Sequence, residues 1–248
     1  MASRLLARWR GLVLALLGIV STVWLGATGQ LGLYIHPRYY VFTVVMAVIG
    51  GVLAVATFAL APAPDEHDEE ELPARGRGWW TLGGLLLVAA SAVALLALPP
   101  STLSAASAAD RDVNSSDAVL AVDAPTLSGA DYGAFTVKDW AAVLRSPASA
   151  GSIEGQRATV KGFVTPDETD PDNVFYVTRF VVTCCAVDAQ PVGVPVYLPG
   201  WREDFPVETW VDVEGAFATN PSVVSSEALV IVPSTTETTE QPAEPYVF

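Results

Sequence analysis

Two adjacent cysteines, Cys184 and Cys185, followed closely by Asp188, are the residues of this sequence best suited to chemistry. Thiolates are preferred ligands of zinc and copper(I), and a carboxylate often completes a zinc site. Neighbouring side chains point in opposite directions along a regular strand, so both sulfurs can face one ion only at a bulge or a turn. The sequence from Gln190 to Gly193, with a proline and a glycine, permits such a turn. We therefore expect a site for zinc or another soft metal at Cys184, Cys185 and Asp188.

The cysteine pair has two other interpretations that the sequence leaves open. Free cysteines are often buried as small hydrophobic residues, which would make the pair structural. An oxidising compartment would instead favour a redox role or a vicinal disulfide, although ring strain opposes that disulfide. The two histidines, His36 and His67, lie far from the pair in the sequence. Cysteines and histidines of this chain therefore do not supply four zinc ligands at one place.

Catalytic motifs are missing from the sequence. Residues 101–248 contain no histidine, which excludes a Ser-His-Asp triad in that half. The P-loop, His-Glu-x-x-His and Gly-x-Gly-x-x-Gly patterns do not occur either. We therefore expect a protein that is not an enzyme.

Three long apolar stretches precede the cysteine pair and predict membrane helices at residues 11–31, 40–61 and 79–98. None of the three contains Asp, Glu, Lys or Arg. Each has the roughly 20 residues that a helix needs to cross about 30 Å of hydrocarbon. We expect a multi-pass protein of the plasma membrane, embedded in the lipid bilayer.

Basic residues near the predicted helix ends indicate the orientation. Five arginines lie on one side of the membrane and two on the other: Arg4, Arg8, Arg10, Arg75 and Arg77 against Arg38 and Arg111. Because basic residues are enriched in cytoplasmic loops, residues 1–10 and the acidic loop 62–78 should be cytoplasmic. Everything after the third helix should then be extracytoplasmic. His36 and Arg38, in the short outer loop, are either an interfacial anchor or functional residues.

The second half of the sequence predicts a mainly-β domain behind a linker. Residues 99–132 are rich in Ser, Ala and Asp, which is typical of a flexible tether, and residues 236–248 form a polar C-terminal tail. Between them, at residues 133–235, Thr136 can cap one short helix. Alternating or β-branched patterns then predict five strands: Arg157–Val164, Val174–Thr183, Val192–Leu198, Thr209–Phe217 and Ala228–Val232. We expect a five-stranded OB-like barrel with one preceding helix, and a sandwich is the alternative.

The charge of the chain is confined to this second half. Residues 1–100 carry as many basic as acidic residues, so the whole net charge of −14 lies after residue 100. A domain this acidic repels phosphate backbones. The sequence therefore excludes nucleic acid as a partner.

Several short motifs resemble a family of bacterial membrane proteins regarded as permease subunits. The motifs span nearly the whole chain: Tyr34–Arg38, Leu98–Pro100, Cys184–Ala189, Trp210–Gly215 and Pro245–Phe248. Val187 stands where the family's Cys-Cys-x-Ala-Asp-Ala segment has its first alanine. The resemblance implies an accessory, non-channel subunit that accompanies a separate multi-helix permease. From the uncharged helices and the cysteine pair we expect that its exported domain senses or delivers a solute, for which a soft metal ion is the candidate.

Two further functions are compatible with the sequence. The protein could be a membrane-tethered module that binds an extracytoplasmic protein or glycan, with structural cysteines. It could also be a thiol redox protein that uses Cys184 and Cys185.

Overall fold

A computed structural model describes residues 2–60, 74–96, 98, 102–109, 111–115, 125, 127, 129–146 and 151–248. The chain divides into two compact units, Met1–Ser101 and Thr102–Phe248. Most of the predicted cytoplasmic loop, and much of the predicted tether, lie outside the described residues.

The described residues of the first unit form three α-helices: α1 (Ala2–Ala27), α2 (Tyr40–Leu60) and α3 (Ala74–Leu96). Helix α1 contacts both α2 and α3. The hydroxyl of Ser21 on α1 donates a hydrogen bond to the carbonyl oxygen of Leu95 on α3, at 3.2 Å. Two short 3-10 turns, Gln30–Leu33 and Pro37–Tyr39, connect α1 to α2.

One described helix is long and apolar enough to cross a membrane, by length and composition. It consists of α2 and the 3-10 turn directly before it, Pro37–Leu60, with 24 residues and a mean hydropathy of 2.5. The apolar parts of the other two helices, Gly11–Ala27 and Leu82–Leu95, are shorter. The expectation of three membrane helices therefore stays a prediction.

The second unit is mainly β, as predicted. Its described residues form β1 (Arg157–Pro166), β2 (Val174–Val181), β3 (Gln190–Tyr197), β4 (Trp210–Thr219), β5 (Leu229–Thr238) and β6 (Tyr246–Val247). The first five strands close into a ring, because β1 pairs with both β2 and β4, and β3 pairs with both β2 and β5. An antiparallel pairing of β4 with β5 completes the ring, and β3 and β5 run parallel.

Ring closure depends on a change of partner in the middle of β1. Residues Arg157–Phe163 pair with β4, and residues Phe163–Pro166 pair with β2. Gly162 lies at this crossing, where a Cβ atom would come within 2.4 Å of the Thr178 carbonyl oxygen on β2. Only glycine therefore lets the two backbones approach this closely.

A short helix closes the core of the ring. Helix α5 (Val137–Arg145) begins at Thr136, whose side chain and Asp139 form the capping box that the sequence predicted. Trp140 of α5 is fully buried against residues of the ring. Alternate side chains of the strands fill the same core, among them Val160, Val177, Val194 and Val213.

Segments that the sequence assigned to the tether and the tail lie against the ring. Asn114 pairs with Gly193 of β3 through its side chain, which accepts from the amide at 2.9 Å and donates to the carbonyl at 2.8 Å. Helix α4 (Ala105–Ala109) precedes this contact. Strand β6 runs parallel to β2, and the amide of Val182 donates to the carbonyl of Val247 at 3.0 Å. These contacts use backbone groups and one amide side chain, which a polar composition does not reveal.

Candidate functional site

The two cysteines lie in the tight connection between β2 and β3. We call residues Thr183–Asp188 the cysteine turn. The amide of Asp188 donates to the carbonyl of Cys185 at 3.0 Å, so the chain reverses within these residues. The turn interrupts the strand alternation that would have separated the two sulfurs. The sulfurs and one carboxylate oxygen of Asp188 all lie within 4.8 Å of one another.

Asp188 holds the cysteine turn together through its carboxylate. This carboxylate accepts hydrogen bonds from the backbone amides of Thr183 at 3.2 Å, Cys184 at 2.7 Å and Cys185 at 3.3 Å. A carboxylate has about four lone-pair sites. Oδ2 accepts the shortest of these bonds, from the Cys184 amide, and a carboxylate oxygen with one such bond has a second lone pair that can bind a cation.

Neither cysteine is buried. Cys184 is exposed, Cys185 is half-buried, and no disulfide joins them. A cysteine that serves only as a small hydrophobic residue would be inside the core. Neither residue of this pair therefore has the full burial of a core cysteine.

Arg111 contacts the end of the cysteine turn, whereas the side chain of Val187 points away from it into solvent. The guanidinium of Arg111 donates to the carbonyls of Ala189 and Val187, which places a positive charge against the end of the turn. The sequence indicated only a topological role for Arg111, and no local motif signalled this contact. The side chain of Val187 is 84% exposed, so its extra bulk relative to alanine does not fill the turn.

The donor set of the turn suits a soft cation. Two thiol sulfurs and one carboxylate oxygen are three ligands, of which the sulfurs favour copper(I) or zinc. Zinc in a structural site takes four ligands, so the turn alone would leave one position open. An open position on an exposed turn allows an ion to be accepted from, or passed to, another molecule.

His36 and Arg38 lie in the first unit, in the 3-10 turn before α2. The His36 ring accepts a hydrogen bond from the amide of Arg38 at 3.1 Å and thereby caps that turn. The Arg38 guanidinium lies over the Tyr39 ring, 4.9 Å from its centroid. The structure thus gives both residues a local contact that organises this loop.

Comparisons with known proteins bear mainly on the family. No curated protein matches the chain. A solved structure of the OBody AM2EP06, bound to hen egg-white lysozyme, is 22% identical and covers 34% of this chain and 81% of its own. Its TM-score is 0.22, which is too low to show a shared fold.

The two halves of the chain match two parts of one family. The DUF1980 N-terminal domain matches residues 9–114, and the DUF1980 C-terminal domain matches residues 138–248. Together these matches cover most of the sequence and follow its division into two units. The chain therefore belongs to the DUF1980 family.

Proposed function

We propose that this protein is an accessory, non-channel subunit of a membrane permease and that it binds a soft metal ion at the cysteine turn. The observation that carries the proposal is the convergence of both sulfurs and the Asp188 carboxylate within 4.8 Å. Copper(I) and zinc are the ions that such ligands favour. The subunit would sense this ion or deliver it to the permease.

The exposure of the turn supports delivery or sensing over permanent storage. A structural zinc site is closed by four protein ligands. The cysteine turn offers three, and Cys184 is exposed to solvent. An ion held there can exchange with ligands of a partner, which is the step that an accessory subunit needs.

Anchoring in the lipid bilayer is part of the proposal. Helix α2 exposes large apolar side chains along its length, including Val41, Phe42, Val52 and Leu60. Such a continuous apolar surface needs an apolar environment. We infer that α1 and α3 also cross the membrane, that the N-terminus is cytoplasmic and that the second unit is extracytoplasmic. The apolar runs of these helices carry no ionisable residue, which suits an anchor better than a conduction path.

We also infer that the five-stranded ring is an OB-type barrel. An OB barrel is a small Greek-key barrel of five strands. The ring has the strand order β1-β2-β3-β5-β4, with β3 and β5 parallel, which agrees with that architecture. The close approach of the β1 and β2 backbones at Gly162 lets β1 pair with both β2 and β4.

Metal binding by the full chain in detergent tests the first part of the proposal. With its thiols reduced, the wild-type protein should retain about one copper(I) or zinc ion per chain after gel filtration, measured by mass spectrometry of the metal. The Cys184→Ser/Cys185→Ser variant should retain none, because a serine hydroxyl is a poor ligand for a soft metal.

A histidine variant is the matched control for this experiment. His36→Gln/His67→Gln should keep the ion, since both histidines lie outside the cysteine turn. Equal retention by the wild type and the double-serine variant would refute a site at the cysteine turn. So would a wild-type protein that retains no metal while its thiols are reduced.

The proposed partnership with a permease leads to a separate prediction. Deletion of this protein should lower the activity of its partner permease severalfold, measured as uptake or efflux of copper and zinc isotopes by whole cells. Reintroduction of the wild-type chain should restore transport, and reintroduction of the double-serine variant should not. Full transport activity in the deletion strain would show that the protein is not an accessory subunit.

A further inference from the structure

The second unit also contains a cavity of about 730 Å³. The residues that line it are not those of the cysteine turn. Its wall is formed by the end of β1, the loop that follows β1, Tyr176 of β2, the loop before β5 and helix α4. This volume lies within the range of about 300–1,000 Å³ that is usual for small-molecule sites. The cavity is therefore large enough for an organic ligand.

The lining of the cavity combines apolar and acidic groups. Apolar surface comes from alanines of α4 and from Val113, Pro166 and Val207. Carboxylates outnumber guanidinium groups, with Asp112, Asp167, Glu168, Glu208 and Glu227 against Arg111 and Arg145. Arg111 donates to the carbonyls of Val187 and Ala189, and Arg145 is exposed. The cavity thus favours a ligand with a positive charge and an aliphatic body.

On one side of the cavity a single hydrogen-bond donor lies between two carboxylates. The hydroxyl of Tyr176 lies 2.9 Å from Oε1 of Glu227 and 3.4 Å from Oδ1 of Asp167. A phenol has a single hydrogen, and the shorter contact directs it to Glu227. Oδ2 of Asp167 accepts from the hydroxyl and amide of Thr169 and from the amide of Asp170, whereas Oδ1 has only the long contact with the Tyr176 hydroxyl among the described residues.

Burial makes the sharing of one donor by two carboxylates costly. Asp167 is 3% exposed and Tyr176 is 8% exposed. Burial, and then the carboxylates of Glu227 and Asp167, raise the pKa of Tyr176 far above its usual value, so the hydroxyl keeps its one hydrogen. Two carboxylates that share one hydrogen recover only part of the hydration that burial removes from them. An added N–H group would give each carboxylate a donor of its own.

No described lysine or arginine supplies that group. Ion pairs between described residues join Lys161 to Asp212 and Arg202 to Asp172, and neither involves the cavity. A chelated metal ion suits the geometry poorly, because the described carboxylates of the cavity do not form a cluster of three converging ligands. The two carboxylates flank a phenol instead. An ammonium group, with three N–H donors, matches this arrangement.

We propose that this cavity binds a linear aliphatic cation with primary ammonium groups, of the polyamine type. One ammonium group donates to Oδ1 of Asp167 and to the carboxylate of Glu227, and its chain lies along the alanines of α4. The observations behind this site do not include the two cysteines or Asp188. The proposal therefore does not depend on the proposed function.

Calorimetric titration of the full chain in detergent with spermidine tests the proposal at constant ionic strength. The wild type should bind spermidine saturably at one site. Glu227→Gln should weaken binding at least about tenfold, because it replaces a charged acceptor by a neutral one and adds an NH₂ donor that faces the ammonium group. Glu214→Gln is the matched control, since it removes the same charge from an exposed position on β4. Its affinity should stay within about twofold of the wild type.

A second probe keeps the test independent of whether the variant folds. Hexamethonium and 1,6-diaminohexane carry the same two positive charges on a six-carbon chain, but only the diamine has N–H donors, so the wild type should bind hexamethonium far more weakly than the diamine. Equal affinity for both cations, or an equal loss in the two glutamine variants, would mean non-specific attraction to an acidic surface and would overturn the proposal. Absence of saturable spermidine binding to the wild type would overturn it as well.

Discussion

Replacement of Gly162 by alanine should lower the free energy of unfolding of the second unit by about 3 kcal/mol. The new Cβ atom would lie 2.4 Å from the carbonyl oxygen of Thr178 and 3.0 Å from its carbonyl carbon. Both contacts are with backbone, which cannot rotate away as a flexible side chain could. The clash lies where β1 changes its pairing partner from β4 to β2. The two backbones can therefore separate only if the ring opens at this point.

Gly151→Ala provides the comparison for this effect. Gly151 is exposed, and a Cβ atom there would meet nothing within 4 Å. Its substitution should change the free energy of unfolding by less than about 0.5 kcal/mol. Urea unfolding of the full chain in detergent, followed by the fluorescence of the buried Trp140 and Trp201, measures both variants. Similar values for the two would mean that the crossing at Gly162 tolerates a side chain.

Trp140→Ala should destabilise the second unit by about 3–5 kcal/mol. Trp140 is fully buried and contacts three aromatic rings, with centroid distances of 5.7 Å to Tyr132, 4.9 Å to Phe135 and 4.9 Å to Phe217. Phe217 belongs to β4, and the other two precede α5. Truncation therefore leaves a cavity at the point where the helix meets the ring. Thermal unfolding followed by near-ultraviolet circular dichroism measures the loss.

Trp140→Phe separates the aromatic contacts from the indole N–H. The Nε1 atom of Trp140 is buried and has no hydrogen-bond partner among the described residues. Phenylalanine keeps most of the ring contacts and removes this unpaired donor, so its loss should be clearly smaller than that of alanine. An equal loss in both variants would indicate that the size of the indole, and not aromatic contact, holds α5 in place.

The β strands could be predicted from the sequence because their patterns are local. Strand β4 alternates Val211 and Val213 with Asp212 and Glu214, and the structure places the valines in the core. The helix start at Thr136 depends on residues three apart, which the sequence also displays. The contacts of Asn114 and of β6 were missed because they join residues that are far apart in the chain and use mainly backbone groups.

The candidate metal site was visible in the sequence because its three residues are neighbours. The hydrogen bonds that organise the turn were not, since they require the backbone to reverse between Cys185 and Asp188. The cavity had no sequence signal. Asp167, Tyr176 and Glu227 come from a loop, a strand and another loop, and each alone is an ordinary residue in an acidic domain.

The two segments that cover the ring have a consequence for the order of folding. Asn114 and Gly193 are 79 residues apart, so their contact costs more chain entropy than the hairpin of β2 and β3. Strand β6 reaches β2 from a similar distance along the chain. The ring should therefore form first, with the backbone groups near Val182 and Gly193 briefly uncovered. During that interval these open edges can pair with a second chain, and the docking of both segments then protects the protein from aggregation.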